Sequence, residues 1–204
     1  MTDNLLDKSG VLVQGHIKIF NPETNEILID KRNAIHYENM SIALAESLAN
    51  AGQGFVYEMA FGNGGTSVDP TGIITYLTPN STGTNASLYN QTYKKVVDDR
   101  SANNVDPSRN KIETRHVTGT SYTDIVVNCL LDYGEPNGQE ANDTATNTES
   151  SFVFDELGLV SYSPTGDGRL LTHVIFHPVQ KSLNRLIQID YTVRVQSLTG
   201  FNEG

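Results

Sequence analysis

The sequence predicts a mainly β, antiparallel domain, either a β-sandwich or a barrel-like fold, with one short helix and long polar loops. About ten segments alternate apolar and polar residues, which is the period of a half-buried strand. The 20 Thr, 19 Asn and 17 Gly residues fit this fold, because Thr suits strands whereas Asn and Gly suit turns. Strands precede and follow the single helical segment without a repeating βαβ order, which argues against a doubly wound parallel sheet.

The first predicted element is a hairpin over residues 11–30. Residues 11–20 alternate, and one face carries four aliphatic side chains: Val11, Val13, Ile17 and Ile19. The polar run NPETNE at 21–26 predicts a turn. Ile27 and Ile29 then continue the pattern as a second, shorter strand.

One helix is predicted over residues 39–51, where the period changes from two to about 3.6 residues. Its apolar face consists of Met40, Ala43, Leu44, Ser47, Leu48 and Ala51. Asn39 or Ser41 is the predicted N-cap residue, and Gly52 is the predicted stop.

Eight later segments have the composition or alternation of strands: 55–61, 72–77, 88–97, 111–117, 121–133, 152–162, 170–177 and 183–197. Pro178 is expected to end the seventh. The last segment has the longest unbroken alternation in the chain. It predicts that Ile189 and Val193 point into the core while Asp190 and Arg194 do not.

The chain is predicted to form a single domain over residues 1–204, because it has no internal repeat and no linker rich in Pro or Ser. Segment 134–151 contains no aliphatic residue larger than Ala. It is predicted to be a mobile loop or insertion and the first site of proteolysis. Residues 1–10 and 199–204 are predicted to be flexible termini.

Composition excludes several function classes. The chain has 14 Lys and Arg against 24 Asp and Glu, a net charge of −10, so it lacks the basic footprint of a nucleic-acid or anionic-lipid binder. No apolar run approaches the ~20 residues of a membrane span, and MTDNLLDKSG does not have the pattern of a signal peptide. Cys129, the single cysteine, allows no internal disulfide. A soluble protein folded in a reducing compartment is expected, with no nucleic-acid or membrane partner.

No catalytic, cofactor-binding or metal-ligating residue is predicted. His173 and His177 are four residues apart, but on a strand this spacing separates them by roughly 13 Å, too far for one metal ion. The GNGGT sequence at 62–66 lacks the Lys-Ser/Thr ending and the following helix of a phosphate-binding loop. It is therefore predicted to be a glycine turn between strands.

Two further motifs have structural rather than catalytic interpretations. Asp155 and Glu156 are adjacent, so on a strand they point to opposite faces, whereas glycosidase chemistry needs two carboxylates about 5–10 Å apart across a cleft. The sequence FDELGL is predicted to be a strand end with a turn. Cys129 lies within an apolar strand and is predicted to be a buried, unreactive thiol. The Ser, His and Asp residues show no nucleophile elbow.

Three stretches are the most distinctive: KRNAIHYENMS (31–41), FGNGGT (61–66) and THVIFHPVQKSLNR (172–185). Together with residues between about 11 and 198, they resemble a group of virion structural proteins of large bacteriophages with contractile tails. The resemblance implies a non-enzymatic component of the tail or baseplate, located in the virion after assembly in the bacterial cytoplasm. It implies other virion proteins and copies of the same chain as partners, and it assigns no catalytic residue.

Four polar residues are candidate interface positions: Asp190 and Arg194 on the outward face of the last strand, and Asn63 and Asn80 in polar loops. Two alternative functions stay open, a receptor- or carbohydrate-binding β-sandwich of a phage fibre and a head or neck protein (collar or decoration). Hydrolase activity is a third and remote alternative. The chain has no Trp, which favours assembly over sugar binding, because sugar-binding faces usually present exposed aromatic rings.

Overall fold

The computed structural model describes residues 9–136 and 151–199. Within these ranges the chain has eleven strands and one helix. The elements are β1 (Ser9–Phe20), β2 (Ile27–Ile35), α1 (Tyr37–Leu48), β3 (Val56–Gly62), β4 (Thr66–Val68), β5 (Ile74–Tyr76), β6 (Gln91–Val96), β7 (Lys111–His116), β8 (Tyr122–Leu131), β9 (Ser151–Ser161), β10 (Thr172–Ser182) and β11 (Ile187–Thr199).

Nine of these strands form one antiparallel, curled sheet that amounts to half a barrel. Their order is β6-β3-β9-β10-β2-β1-β11-β8-β7, and β4 and β5 form a separate two-stranded sheet. We call β6, β3, β9 and β10 the first half of the sheet and the other five strands the second half. Where the halves meet, β10 and β2 share two ladder pairs, Thr172 with Ile35 and His173 with Ala34. The predicted mainly β, barrel-like domain is therefore confirmed.

The core lies between the two halves of the sheet. The second half contributes side chains with no exposed surface: Ile17, Ile19, Val127, Cys129, Leu131, Ile187, Ile189 and Tyr191. The first half faces them with an aromatic cluster, in which Phe154 makes edge-on contacts with Phe61 at 5.4 Å and with Phe176 at 5.7 Å between ring centroids. Val193 is also buried, whereas Asp190 and Arg194 are not, so the predicted register of the last strand is confirmed.

Helix α1 begins and ends earlier than the predicted 39–51. Its N-cap is His36, whose Nδ1 accepts a hydrogen bond from the Asn39 backbone N–H at 3.2 Å. The predicted caps are wrong because both residues lie inside the helix: Asn39 donates its side-chain amide to the Leu170 carbonyl, and Ser41 donates to the Glu38 carbonyl. The helix stops at Leu48 rather than at Ala51.

Most predicted strands are present, with shifted bounds. The segment 72–77 forms a strand only over Ile74–Tyr76, and it pairs with Thr66–Val68, which the sequence had predicted as part of a connection. Strand β10 does not end before Pro178 but continues to Ser182. A shift of register between Ile175 and Val179 lets the strand pass through Pro178, which has no N–H for the ladder.

A polar connection spans the open side of the half-barrel. Residues 97–110 run from β6 at one edge of the sheet to β7 at the other. Asn104 donates its side-chain amide to the carbonyls of Asp98 and Asn110, and Asn110 Oδ1 accepts the Leu130 N–H at 2.9 Å. Lys95 on β6 donates to the Leu130 carbonyl on β8 at 2.8 Å. These bonds tie the two free edges together.

Two predicted mobile regions lie mostly outside the described residues. The loop predicted at 134–151 falls there except for 134–136 and Ser151, which begins β9. The predicted flexible termini, 1–10 and 199–204, also fall there except at Ser9, Gly10 and Thr199. Those three residues belong to paired strands, since Ser9 is paired with Thr199 and Gly10 with Leu198.

Candidate functional site

The outward face of the second half is a broad polar surface, and Asp190 and Arg194 lie at its centre on β11. Register places Lys18 beside Asp190 and Gln14 beside Arg194 on β1. On the other side, β8 supplies the neighbours of both residues. We call this surface the polar face.

Arg194 is held rigidly on the polar face. Its guanidinium donates two parallel hydrogen bonds to the Asp124 carboxylate, at 2.7 and 2.8 Å, and lies 3.8 Å from the centroid of the Tyr122 ring. The hydrogen bond from Arg194 is the main cause that lowers the pKa of Asp124. A two-point ion pair stacked on an aromatic ring fixes the side chain more firmly than a single surface contact.

Asp190 is also hydrogen-bonded within the face. It accepts from the Asn128 side-chain amide at 2.8 Å and from the Gln188 side-chain amide at 3.0 Å. These two bonds hold an acidic group at the middle of the face, partly exposed to solvent.

Asn63 and Asn80 lie elsewhere, on loops packed over strands β9 and β10 of the first half. Asn63 Oδ1 accepts from the Asn90 side-chain amide at 2.5 Å. The Asn80 backbone N–H donates to His173 Nδ1 at 2.8 Å, and its side-chain amide donates to the Ser87 carbonyl. The four candidate interface residues therefore form two separate pairs rather than one surface.

A buried carboxylate lies between these loops. Glu156 on β9 has no exposed surface, yet four donors reach it: the backbone N–H groups of Gly64, Tyr89 and Asn90 and the ring of His173, at 2.8 to 3.1 Å. Burial raises the pKa of this carboxyl, but the hydrogen bonds from His173, Asn90, Tyr89 and Gly64 outweigh burial and lower its pKa overall. We call Glu156, His173 and their donors the loop clamp.

The loop clamp fixes the tautomer of His173. Because His173 Nδ1 accepts from Asn80, the ring proton lies on Nε2 and is donated to Glu156. Both side chains are fully buried, and the ring of Tyr89 lies over His173 with 5.6 Å between centroids. This arrangement anchors two loops; it leaves neither group exposed for proton exchange with a substrate.

Asp155, the neighbour of Glu156, anchors the other part of the GNGGT sequence. Its carboxylate accepts the backbone N–H groups of Gly65 and Thr66, each at 2.9 Å, and the Thr66 hydroxyl. Asp155 and Glu156 lie in the middle of β9, so the predicted strand end with a turn is wrong. The predicted glycine turn is confirmed, since it connects β3 to β4. A local sequence pattern does not reveal this contact, because the two acidic residues lie about 90 residues from the backbone N–H groups that they accept.

The hairpin that follows this turn projects from the sheet. We call residues 66–76 the arm. At its end, Asp69 Oδ1 accepts from the Thr71 N–H, the Thr71 hydroxyl and the Ile73 N–H at 2.7 to 2.9 Å. Tyr76 contacts His177 of β10 through its hydroxyl at 3.3 Å. His177 thus lies outside the loop clamp, on the same strand as His173, and the described part of the chain contains no cluster of three potential metal ligands.

Cys129 is fully buried on β8, as predicted. Burial is the main cause that raises the pKa of its thiol to about 12. The thiolate, which is the reactive form, is therefore almost unpopulated at neutral pH.

An apolar groove lies where α1 covers one end of the half-barrel. Its volume is about 220 Å³, and its walls include Ala43, Leu44, Ile112, Ile125, Val195 and Phe55. Arg100 lies at its rim and is the one charged residue among those that line it. The groove has no signature in the sequence because its walls come from α1 and from five separate strands.

No known protein family, curated protein or solved structure matches the chain. In residues 9–136 and 151–199, no helix is long and apolar enough to cross a membrane.

Proposed function

We propose that the chain is a non-enzymatic structural protein of a contractile-tailed phage virion, incorporated into the tail or baseplate through protein–protein contacts. The observation that carries this proposal is the position of the three stretches that resemble virion proteins. Residues 31–41 pair with the start of 172–185 at the junction between the sheet halves. Residues 61–66 meet 172–185 through Glu156. The three most distinctive stretches thus lie in one contiguous structural unit.

The chemistry of that unit supports a structural role. Its acidic residues and its buried histidine all hold backbone N–H groups of loops in fixed positions. Asp155 is 3% exposed and Glu156 is fully buried. A virion component must present loops to its neighbours in one conformation, and buried charged anchors of this kind provide such rigidity.

The polar face supports contact with neighbouring subunits. Hydrogen bonds on the paired strands hold Asp190 and Arg194 in place, so less side-chain entropy has to be lost when a partner binds there. Charged groups held in this way select a complementary partner.

Localisation in particles tests the proposal. Antibodies against the purified chain would be applied to contractile-tailed particles from a lysate that contains it, and located by immunogold electron microscopy. We expect label on the tail or baseplate. Label on the head or collar would contradict the tail assignment, and particles free of the chain in both labelling and mass spectrometry would overturn the virion role.

A charge reversal tests the polar face. We expect Asp190→Lys to fold but to be excluded from particles when it competes with the parent chain during infection. Asp167→Lys is the matched control, because Asp167 is 93% exposed on a turn of the other half of the molecule. Equal incorporation of both variants would show that Asp190 does not contact a neighbour.

A further inference from the structure

We propose that the arm of one chain inserts into the apolar groove of a second copy, so that each copy joins the next through unlike surfaces. The inference deepens the proposed function by naming one of the partners as the chain itself. Its supporting observations are the rigidity of the arm, its exposed apolar side chains, the size of the groove, and the opposite charges of the two surfaces.

The arm is braced at both ends although it buries little surface of its own. An isolated two-stranded hairpin is only marginally stable in water. Here Asp155 accepts the N–H groups of Gly65 and Thr66 at the base, and Asp69 accepts three hydrogen bonds at the tip. The arm is therefore held in one conformation before any partner binds, which lowers the entropic cost of docking.

The arm presents apolar side chains to solvent. Val68 is 61% exposed, Ile73 is 63% exposed and Tyr76 is 50% exposed. Single exposed apolar residues are ordinary on protein surfaces, but several on one braced hairpin are typical of an interaction site.

The groove has the size and chemistry to receive this tip. Its volume is about 220 Å³, and an apolar cavity of about 150 Å³ is large enough to hold a benzene molecule. One branched aliphatic side chain and part of a second would fill it. The walls are aliphatic and aromatic, with Ser47 of α1 exposed at the rim.

Charged residues of opposite sign lie on the two surfaces. Asp69 is the only charged residue in the arm. Arg100 is the one charged residue that lines the groove; its side chain is 82% exposed, and its Nε lies 3.5 Å from the Asp98 carboxylate. Docking Ile73 into the groove would offer Asp69 as a second carboxylate partner for the exposed Arg100 guanidinium.

The two surfaces lie on different parts of one chain. The arm adjoins β10 through Tyr76 and His177, whereas the groove is lined by α1 and by strands of both halves other than β10. Contact between unlike surfaces of identical chains is heterologous, and it closes into a ring or continues as a helical assembly. Both outcomes suit a tail.

Disulfide trapping tests the contact directly. Ile73→Cys and Ser47→Cys would be purified separately, mixed and oxidised with oxidised glutathione; the buried Cys129 does not compete. We expect the mixture to form a covalent dimer at least about tenfold faster than either variant alone, because bound thiols have a high effective concentration. The control is Asp167→Cys mixed with Ser47→Cys. Equal rates in the test and control mixtures would overturn the proposal.

Sedimentation of uncross-linked protein gives a second test. We expect the average mass of the parent chain to rise with concentration, and Ile73→Asp and Ser47→Trp to stay monomeric when studied alone. Mixed together, Ile73→Asp retains an intact groove and Ser47→Trp an intact arm, so the pair is expected to form dimers and nothing larger. Thr75→Asp, a matched change on the same arm, is expected to associate like the parent. A parent chain that stays monomeric at all concentrations would overturn the proposal.

The outcomes separate this inference from the proposed function. If the chain is found in particles but Ser47→Cys is trapped there on a different virion protein, the groove belongs to another partner, and the inference fails while the function stands. If the mixed dimer forms but particles lack the chain, self-association stands and the virion role fails.

Discussion

Glu156 shows how a single charged residue is accommodated without any exposed surface. Four donors converge on its two oxygens, and together they replace the water that burial removes. Three of the four are backbone N–H groups, so the carboxylate fixes the path of the chain rather than another side chain. A buried charge of this kind is destabilising as soon as one side of the network is lost.

We therefore expect Glu156→Gln to destabilise the fold by about 2–6 kcal/mol, because two donors lose their acceptor at about 1–3 kcal/mol each. Denaturant unfolding at pH 7 measures the change. Glu113→Gln is the control. Glu113 pairs with Lys111 and Arg115 on the surface, so this change is expected to lower the free energy of unfolding by less than about 1 kcal/mol. Equal effects of the two variants would contradict the role of the loop clamp.

The contribution of Glu156 also depends on pH in a defined direction. Its folded pKa lies below the ordinary value of 4.5, so its stabilisation is complete above pH 4.5 and is lost as pH falls through the folded pKa. We expect the stability difference between the parent and Glu156→Gln to shrink over that acid range. A difference that stays constant down to pH 3 would contradict the assignment.

Replacing Ile189 tests the packing of the core. It has no exposed surface, and replacing it by Lys removes about 1.5–3 kcal/mol of burial and adds several more for a buried charge. Since a domain is stable by only about 5–15 kcal/mol, Ile189→Lys is expected to abolish folding, whereas Asp190→Lys is expected to fold. Circular dichroism and thermal melting measure both, and an Ile189→Lys protein that melts like the parent would refute the register.

At the scale of elements, close packing between strands β9 and β10 depends on one glycine. A Cβ atom at Gly158 would lie 2.3 Å from the Thr172 carbonyl oxygen, closer than any van der Waals contact allows. The Thr172 hydroxyl also accepts the Leu159 N–H at 2.9 Å, so the two strands have no freedom to separate there.

Gly158→Ala is expected to destabilise the protein by about 3 kcal/mol, at the upper end of the range for overpacked cores. Gly119→Ala is the comparison, because Gly119 has a φ of +88° but open space around it. Gly119→Ala is expected to lower the free energy of unfolding by about 1 kcal/mol, from backbone strain alone. Chemical denaturation measures both, and a Gly158→Ala variant no less stable than Gly119→Ala would refute the steric argument.

Elements with strong periodicity were predictable from the sequence. β1 and β11 each bury one face and expose the other, so the alternation of apolar and polar residues is enough to predict both strands. The arm was not predictable as a hairpin, because three residues per strand are too few for periodicity to show. Helix α1 was found from its period, but its cap is a histidine, a residue that is not among the usual N-caps.

The candidate sites were much less predictable than the strands. Glu156 contacts loops 66 and 92 residues earlier in the chain, and no local pattern reports such a pairing. The apolar groove is likewise formed by parts of six elements. The sequence correctly predicted that Asp190 and Arg194 face outward, because that follows from period two alone.

At the scale of the whole molecule, Asp155, Glu156 and His173 hold loops in place. Glu156 and His173 are fully buried, so neither can reach a substrate in the folded state. We expect the purified chain to show no hydrolysis of generic ester, glycoside or phosphodiester substrates above a buffer control. Turnover that disappears in a single Ser, His or acidic variant, while folding is retained, would overturn the proposed non-enzymatic role.

The pairing of β1 with β11 has a consequence for synthesis. Twelve residues of the first strand, Ser9 to Phe20, are matched with residues Gln188 to Thr199 near the other end of the chain. During synthesis β2 can pair with one edge of β1 early, but the other edge of β1 has no partner until β11 emerges. Contacts so distant in sequence slow folding, and an unpaired strand edge invites aggregation meanwhile. The nascent chain is therefore expected to depend on chaperones until its last strand is made.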